Sequence, residues 1–208
     1  MADQKVVENS EAGNGSQVVV KPVCTKKWKS YCVVYLLRIL TLFATVSATV
    51  VMSIDKQTIN TVVATIGNTP IRASVTAKFQ HTPAFVFFVI ANAMASFHNL
   101  LMLIVEFTGH KFDFKGLRHL LVPILDMLNV ALISAGAGAA VFMGELGRNG
   151  NSHARWNKIC DKFDTYCNHA SGAIIASLAG LILMIIINVV SIAKLRNVQK
   201  SADSSMLP

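Results

Sequence analysis

The chain has 208 residues, of which 53% are hydrophobic and only 14% are charged, and its formal net charge is +8. A soluble domain carries about 25% charged residues, so this composition excludes an ordinary water-soluble fold and indicates a membrane protein. The positive charge does not indicate a nucleic-acid-binding protein, because the basic residues flank apolar stretches and do not form a basic surface with interleaved aromatic residues.

The first segment is a polar tail. Residues 1–20 are rich in Glu, Asn, Gly, Ser and Gln, and a basic cluster of Lys26, Lys27 and Lys29 follows. We therefore expect residues 1–30 to form a disordered, basic tail. The apolar stretch that comes next is too long for the core of a signal peptide, so we expect it to remain as a helix.

Four apolar stretches are long enough to cross a bilayer. They cover approximately residues 33–54, 84–105, 120–143 and 173–193. Each is close to the ~20 residues that a helix needs to span the hydrocarbon core. The sequence therefore predicts an all-α membrane protein, a four-transmembrane-helix bundle within residues 31–196, followed by a short cytoplasmic tail at 197–208.

The distribution of basic residues predicts the orientation. With four crossings, both termini lie on one side, and that side holds eleven Lys and Arg residues against seven on the other, with Arg38 inside the membrane. Because basic residues favour the cytosolic side, we expect both termini to be cytoplasmic.

Two of the four cysteines lie close together in the second outer loop. Cys160 and Cys167 are in an oxidising compartment under this topology, so we expect a disulfide between them. His153 and His169 flank the pair, which leaves a metal site as an alternative. Their spacing matches no common zinc pattern, and we predict no metal site.

Arg38 and Asp126 are ionisable residues inside apolar stretches. Both follow the cytosolic start of their helix by five or six residues, which places both ~8–9 Å into the core. A charge in the hydrocarbon costs at least about 2.5–3.5 kcal/mol, so we predict that the two pair with each other. We expect a polar belt around the pair, formed by four residues at similar depth: His98, Asn99, Asn129 and Asn188.

The belt has two interpretations. The first is structural, in which the ion pair and the amide hydrogen bonds determine which helices are neighbours, since lipid supplies no hydrophobic force between helices. The second is a proton or ion relay in a small transporter or channel subunit that uses Arg38 and Asp126. The structural interpretation is favoured, because the chain shows no internal repeat and no pair of matching helix breaks.

Small residues recur at helical spacing in three of the predicted helices, with Ala91 and Ala95 in the second. Such faces let helix backbones approach closely within one bundle or between protomers. The predicted packing residues are Gly136, Ala140, Gly172, Ala176 and Gly180.

Motifs of enzymes are absent from the sequence. It contains no phosphate-binding glycine loop, no HExxH and no nucleophile elbow. We therefore predict a protein that is not an enzyme and that needs no cofactor.

The residues together resemble a known plant family. The segment AKFQHTPAFVFFVIANA at 77–93, the Leu-Leu-Arg38 entry to the first helix, Asp126 in the third and the loop with Cys160 and Cys167 are similar to the Casparian strip membrane domain protein-like (CASP-like) family, first subfamily. The resemblance covers residues 27–196, and the arginine and aspartate positions of the family correspond to Arg38 and Asp126.

The resemblance implies a fold and a function. The family is related to MARVEL-type four-helix proteins, and its founding members form plasma-membrane scaffolds that restrict lateral diffusion and localise lignin-polymerising proteins. The first outer loop here lacks the longer signature of true Casparian strip proteins. The resemblance therefore implies a scaffold of another plasma-membrane domain, with homo-oligomers, hetero-oligomers with related proteins, and membrane lipids as partners, and no nucleic acid.

Overall fold

Four long helices dominate the computed structural model, which describes residues 23–108 and 117–204. The helices are α1 (Val23–Ile54), α2 (Pro83–Thr108), α3 (Leu117–Asn149) and α4 (Asp164–Ser204). Each contains a segment long and apolar enough to cross a membrane, at Cys32–Ile54, Pro83–Thr108, Leu121–Asn149 and Asp164–Asn197. The predicted four-helix membrane architecture is therefore confirmed.

The helices extend beyond the predicted apolar stretches at most of their ends. α1 begins at Val23, inside the segment predicted to be a disordered tail, and α4 continues to Ser204, inside the predicted C-terminal tail. Hydrophobicity marks where a helix lies in lipid, whereas a helix continues into water wherever its residues are reasonable helix formers, as Lys, Gln and Ala are. Residues 1–22 and 205–208 of the two predicted tails lie outside the described part of the chain.

The helices pack in a ring. α1 lies against α2 and α4, and α3 also lies against α2 and α4, so that α1 and α3 face each other across the centre of the bundle. One buried apolar cluster fills the end where α1 and α3 terminate and includes Met52, Phe88 and Tyr166. A second, smaller cluster contains Ala95, Ile133 and Met184.

The loop between α1 and α2, the predicted first outer loop, is a β-hairpin, which the sequence prediction did not include. Strands β1 (Lys56–Ile66) and β2 (Thr69–Lys78) pair antiparallel, with Lys56 opposite Lys78. The two-residue turn has Gly67 at a φ of +60°, as a type II′ turn requires of its first central residue. The frequent Thr, Ile and Val residues on both sides of Gly67 were the available signal for this hairpin.

The loop between α3 and α4, the predicted second outer loop, is ordered by a tight turn and a disulfide. Gly150 has a φ of +70°, and a Cβ there would come within 2.7 Å of the carbonyl oxygen of Trp156. Asn151 and Trp156 exchange backbone hydrogen bonds of 2.9 Å in both directions. Cys160 and Cys167 form a disulfide with a Cα–Cα distance of 5.7 Å, which confirms the predicted pairing.

Candidate functional site

Arg38 and Asp126 meet in the centre of the bundle. Arg38 Nη1 donates to Asp126 Oδ1 at 3.2 Å, and Nη2 donates to Oδ2 at 2.8 Å. The arginine is 1% exposed and the aspartate is fully buried. A bidentate pair of this kind fixes both the distance and the relative orientation of the two side chains. The contact therefore joins α1 and α3, which are opposite each other in the ring.

His98 of α2 completes the group around Asp126. Its Nε2 lies 2.7 Å from Asp126 Oδ1, so each carboxylate oxygen of Asp126 has at least one partner from another helix. Three helices thus meet at one side chain. Buried carboxylates are tolerated only when such partners replace water, which accounts for the position of an aspartate at this depth.

Glu106 is a member of the cluster that the sequence analysis missed. Its Oε1 lies 3.6 Å from Arg38 Nε, near the end of α2 opposite the hairpin, and its side chain is 34% exposed. Glu106 lies one position beyond the predicted span 84–105, and it was therefore not considered among the intramembrane charges. The long side chain of Arg38 can reach toward a helix end, so an acidic residue just past a span was the available signal.

The remaining members of the predicted belt do not surround the ion pair. Asn99 Nδ2 donates to the carbonyl oxygen of Ala95 at 2.9 Å and contacts the sulfur of Met184 at 3.2 Å. Asn129 donates to the carbonyl oxygen of Leu125 in its own helix. The prediction that Asn99 and Asn129 belong to the belt around the ion pair is therefore wrong. Asn129 follows Asp126 by three residues, which turn a helix by about 300°, so its side chain is rotated by about 60° from that of Asp126.

Among the described residues, Asn188 of α4 also forms no hydrogen bond with the ion pair. Its Oδ1 is buried and accepts no hydrogen bond from the part of the chain that the structure describes. Depth along the helix was the only basis for including Asn188 in the belt, and depth does not determine which way a side chain points around the axis. The cluster that the structure shows is formed by Arg38, His98, Glu106 and Asp126.

A second layer of polar residues lies on the hairpin side of the ion pair. Ser177 of α4 donates to Asn92 Oδ1 of α2 at 2.8 Å. Ser96 of α2 lies 2.8 Å from Thr45 Oγ1 of α1. These hydrogen bonds join α2 to its neighbour α1 and, across the bundle interior, to α4. Ser and Thr can also bond to the carbonyl four residues earlier, as Thr45 does to Thr41, so the sequence carried no signal for contacts between helices.

Some of the predicted packing residues pack against a neighbouring helix, and others do not. Added to Gly136, a Cβ would come within 2.9 Å of Ala91 Cβ, and at Gly180 it would come within 3.2 Å of Thr45 Cγ2. Ala140 is fully buried and Ala176 packs against the same apolar cluster. A Cβ at Gly172 would meet nothing within 4 Å, so the prediction for Gly172 is wrong within this chain. It lies on an exposed face of α4.

At the opposite end of the bundle, Asp55 joins α1 to α4. Its Oδ1 lies 3.1 Å from His169 Nδ1, and its side chain is 5% exposed. Burial raises the pKa of the Asp55 carboxyl above its ordinary value, while the hydrogen bond and the charge of His169 oppose that shift. Gln57 Oε1 accepts a hydrogen bond of 2.8 Å from the backbone N–H of Tyr166. The hairpin is thus anchored to the first turn of α4.

The part of the chain that the structure describes contains no group of three or more His, Cys, Asp or Glu residues placed to hold a metal ion. His169 contacts Asp55, and the two cysteines are joined to each other. The alternative of a metal site in the second outer loop is not supported by this arrangement.

Four spanning helices in a ring, a buried ion pair across its centre and structured loops at one end define a four-helix membrane protein. The Casparian strip membrane protein domain matches residues 28–183 of this chain. The chain belongs to that family, and the family predicted from the sequence is confirmed.

Curated plant relatives match over most of the chain. It is 62% identical over 180 residues, 86% of this chain and 90% of the relative, to CASP-like protein 1B1 of Populus trichocarpa. It is 60% identical over 184 residues, 88% and 90% of the two chains, to CASP-like protein 1B2 of the same species. It is 58% identical over 179 residues, 86% and 89%, to CASP-like protein 1B2 of Arabidopsis thaliana. No solved structure matches the chain.

Proposed function

We propose that the protein is a plasma-membrane scaffold. It assembles with itself and with related family members, organises a membrane domain and limits lateral diffusion there, with both termini in the cytosol and the hairpin facing the cell wall. It has no enzymatic activity. Membership of a family named for the Casparian strip supports a role in a membrane domain.

The burial of the intramembrane charges is the observation that carries this proposal. Asp126 is fully buried and Arg38 is 1% exposed, and each contacts side chains of other helices of the same chain. Charges that serve a transported substrate face a cavity or a water-filled path. Charges buried against each other fix the helix arrangement, which is what a rigid unit of a larger assembly requires.

The hairpin supplies an exposed surface for such assembly. It has only two strands, so within the described residues both outer edges carry backbone N–H and C=O groups without a strand partner. Open strand edges are templates for pairing with another chain. Ile66 is 69% exposed and Ile71 is 45% exposed at its tip, which adds apolar contact area. We propose this hairpin as a contact surface of the scaffold.

Fluorescence recovery after photobleaching of the tagged protein in a plant plasma membrane tests the proposal. We expect little recovery and a patchy distribution, because a protein held in an assembly cannot diffuse as a single bundle. Stepwise photobleaching of the extracted protein should show several subunits in each particle. Rapid, uniform recovery together with single-step bleaching would contradict the scaffold function.

A variant at the hairpin tip tests the proposed contact surface. Ile66→Thr with Ile71→Thr keeps the strand preference of both positions and removes apolar surface. We expect greater lateral mobility and fewer subunits per particle at an unchanged thermal stability. Thr58→Ser with Thr76→Ser is the matched control, since these residues pair across the same hairpin. Equal effects of both double variants would argue against a contact at the tip.

One observation favours a second candidate, a small proton- or ion-coupled transporter or channel subunit. His98 bridges to the buried Asp126, and Arg38 links Asp126 to the partly exposed Glu106, so titratable groups extend from the interior toward one end of the bundle. This candidate function requires an ion- or pH-dependent flux in vesicles reconstituted with the wild-type protein. The flux should be lost when the folded Asp126→Asn variant is used instead. The absence of flux in wild-type vesicles would exclude it.

A further inference from the structure

A cavity of about 430 Å³ lies between the outer ends of the helices, the hairpin and the second outer loop. This volume is in the range of small-molecule binding sites. The cavity does not belong to the buried ion-pair cluster, because none of Arg38, His98, Glu106 and Asp126 lines it.

The wall of the cavity changes from apolar to basic in the outward direction. Phe85, Met143 and Ile174 line it on the bundle side, inside the spanning segments of α2, α3 and α4. Lys78 and Arg148 line it further out, on the hairpin and at the end of α3. Five residues of α3 separate Met143 from Arg148, which corresponds to about 7–8 Å. An occupant therefore meets apolar side chains at one end and cations at the other.

The two cations have no acidic partner among the residues that the structure describes. Neither Lys78 nor Arg148 forms an ion pair with a carboxylate in residues 23–108 and 117–204, and no Asp or Glu lines the cavity. Arg148 makes only a long hydrogen bond of 3.5 Å to Ser171 Oγ, and Ser171 also lines the cavity. The positive charge at the outer end is thus available to an anion.

Hydrogen bonds and a disulfide within the protein hold the outer wall of the cavity in place. Backbone N–H groups of Ile159 and Cys160 donate to the carbonyl oxygen of Gly147 at 2.9 and 3.2 Å. The disulfide between Cys160 and Cys167 then ties this wall to α4. A wall fixed in this way loses little conformational entropy when a ligand binds.

We propose that this cavity binds an anionic amphiphile, a molecule with a phosphate or carboxylate head and an apolar body. The head lies at Lys78 and Arg148, and the apolar body extends toward Phe85, Met143 and Ile174. The proposal does not depend on the scaffold function, because neither the ion-pair cluster nor Ile66 and Ile71 at the hairpin tip line the cavity.

Quenching of Trp156 by brominated lipids tests the site. Trp156 lines the cavity, and the sequence has only one other tryptophan, so Trp28→Phe leaves a single reporter. The full-length protein is placed in phosphatidylcholine nanodiscs that contain either brominated phosphatidic acid or brominated phosphatidylcholine at the same mole fraction. We expect phosphatidic acid to quench at a mole fraction about tenfold lower, because two cations face its head. Equal quenching by the two lipids would overturn the proposal.

Two double variants distinguish binding in the cavity from a general attraction of anionic lipid to a basic surface. Lys78→Gln with Arg148→Gln should abolish the preference for phosphatidic acid. Arg72→Gln with Lys162→Gln removes the same net charge from the same end of the protein without touching the cavity wall, and should retain the preference. Loss of the preference in both double variants, or in neither, would overturn the proposal.

A filling variant tests the apolar part of the site without changing charge. A Cβ at Gly144 would lie 3.8 Å from Ile174 Cδ1, an ordinary contact, so Gly144→Leu should fold and fill the floor of the cavity. It should abolish quenching by phosphatidic acid. Gly138→Leu is the control, because it lies in the same helix and a Cβ added there meets nothing within 4 Å. Its tryptophan should be quenched by phosphatidic acid to the same extent as that of the wild type. Undiminished quenching in folded Gly144→Leu protein would contradict the assignment.

A competition experiment distinguishes the two sources of such a molecule. Reversal of the quenching by water-soluble octyl phosphate would support a site that takes free amphiphiles from water. Quenching that octyl phosphate does not reverse, but that unbrominated phosphatidic acid does, would support a site for a membrane lipid. Quenching that neither compound reverses would overturn the proposal.

Discussion

Arg38 and Asp126 are 88 positions apart in the chain, and their side chains form a two-pronged ion pair with N–O distances of 3.2 and 2.8 Å. The pair crosses the centre of the ring, from α1 to α3, instead of joining adjacent helices. Because lipid does not drive helices together by the hydrophobic effect, a specific polar contact at this point selects one arrangement of the four helices among several.

The ion pair can be tested by exchanging its charges. Arg38→Asp places two carboxylates next to each other in the core and should lower the free energy of unfolding by about 3–5 kcal/mol. The double variant Arg38→Asp with Asp126→Arg should recover part of that loss, since the charges are again opposite. Thermal unfolding in detergent micelles or nanodiscs measures both effects.

Asn129→Ala is the control for this exchange, because Asn129 also lies in α3 and bonds only to Leu125 of its own helix. It should change stability by much less than Arg38→Asp. If the two charge substitutions are additive in the double variant, their side chains do not interact directly.

The close approach of α2 and α3 predicts a contrast between two neighbouring glycines. Gly136→Leu places a side chain where Ala91 Cβ and the backbone of Phe88 leave no room, at 2.9 and 3.4 Å. It should lower the free energy of unfolding by about 1–3 kcal/mol. Gly138→Leu, two positions further along α3, meets nothing within 4 Å and should leave the melting temperature at or above that of the wild type. Equal melting temperatures would contradict this packing.

Asp55 predicts a dependence of stability on pH. Burial raises the pKa of its carboxyl above the ordinary value of 3.8, with His169 opposing the shift. The folded protein therefore binds this proton more tightly than the unfolded chain does. The resulting stabilisation is fully present below pH 3.8 and is lost as the pH rises through the raised pKa.

Replacing the titratable carboxyl of Asp55 should change how the melting temperature depends on pH. We expect Asp55→Asn to become more stable relative to the wild type as the pH increases from below 3.8 to neutral. Asp161→Asn is the control, because Asp161 is an exposed carboxylate near the same end of the bundle. A difference between wild type and Asp55→Asn that stays constant with pH would show that Asp55 is not buried as described.

The disulfide predicts a local effect on the second outer loop. Cys160→Ser with Cys167→Ser should lower the free energy of unfolding by about 2 kcal/mol, as expected from the loop that the bond closes. Amide hydrogen exchange should increase in residues 150–163 and remain low in the spanning helices. Cys32→Ser, at an exposed free cysteine, should change neither quantity. Faster exchange throughout the bundle would mean that the bond supports more than this loop.

The amino-acid sequence alone was sufficient to predict the features that depend on the composition of each stretch of the chain. The four apolar stretches predicted the spanning helices because the bilayer thickness sets the length that an apolar helix must have. The cost of a charge in lipid singled out Arg38 and Asp126, and the compartment of the outer loop singled out Cys160 and Cys167. Each of these inferences uses a property that a residue has before the chain folds.

Only the tertiary structure decided which side chains meet. Depth along a helix placed Asn129 and Asn188 level with the ion pair, yet within the described residues neither forms a hydrogen bond with it, because the direction of a side chain also depends on rotation about the helix axis. Gly172 and Gly180 have the same small-residue spacing, but only Gly180 faces α1. Rotation and neighbour order are properties of the packed bundle, since they follow from all four helices fitting together at once.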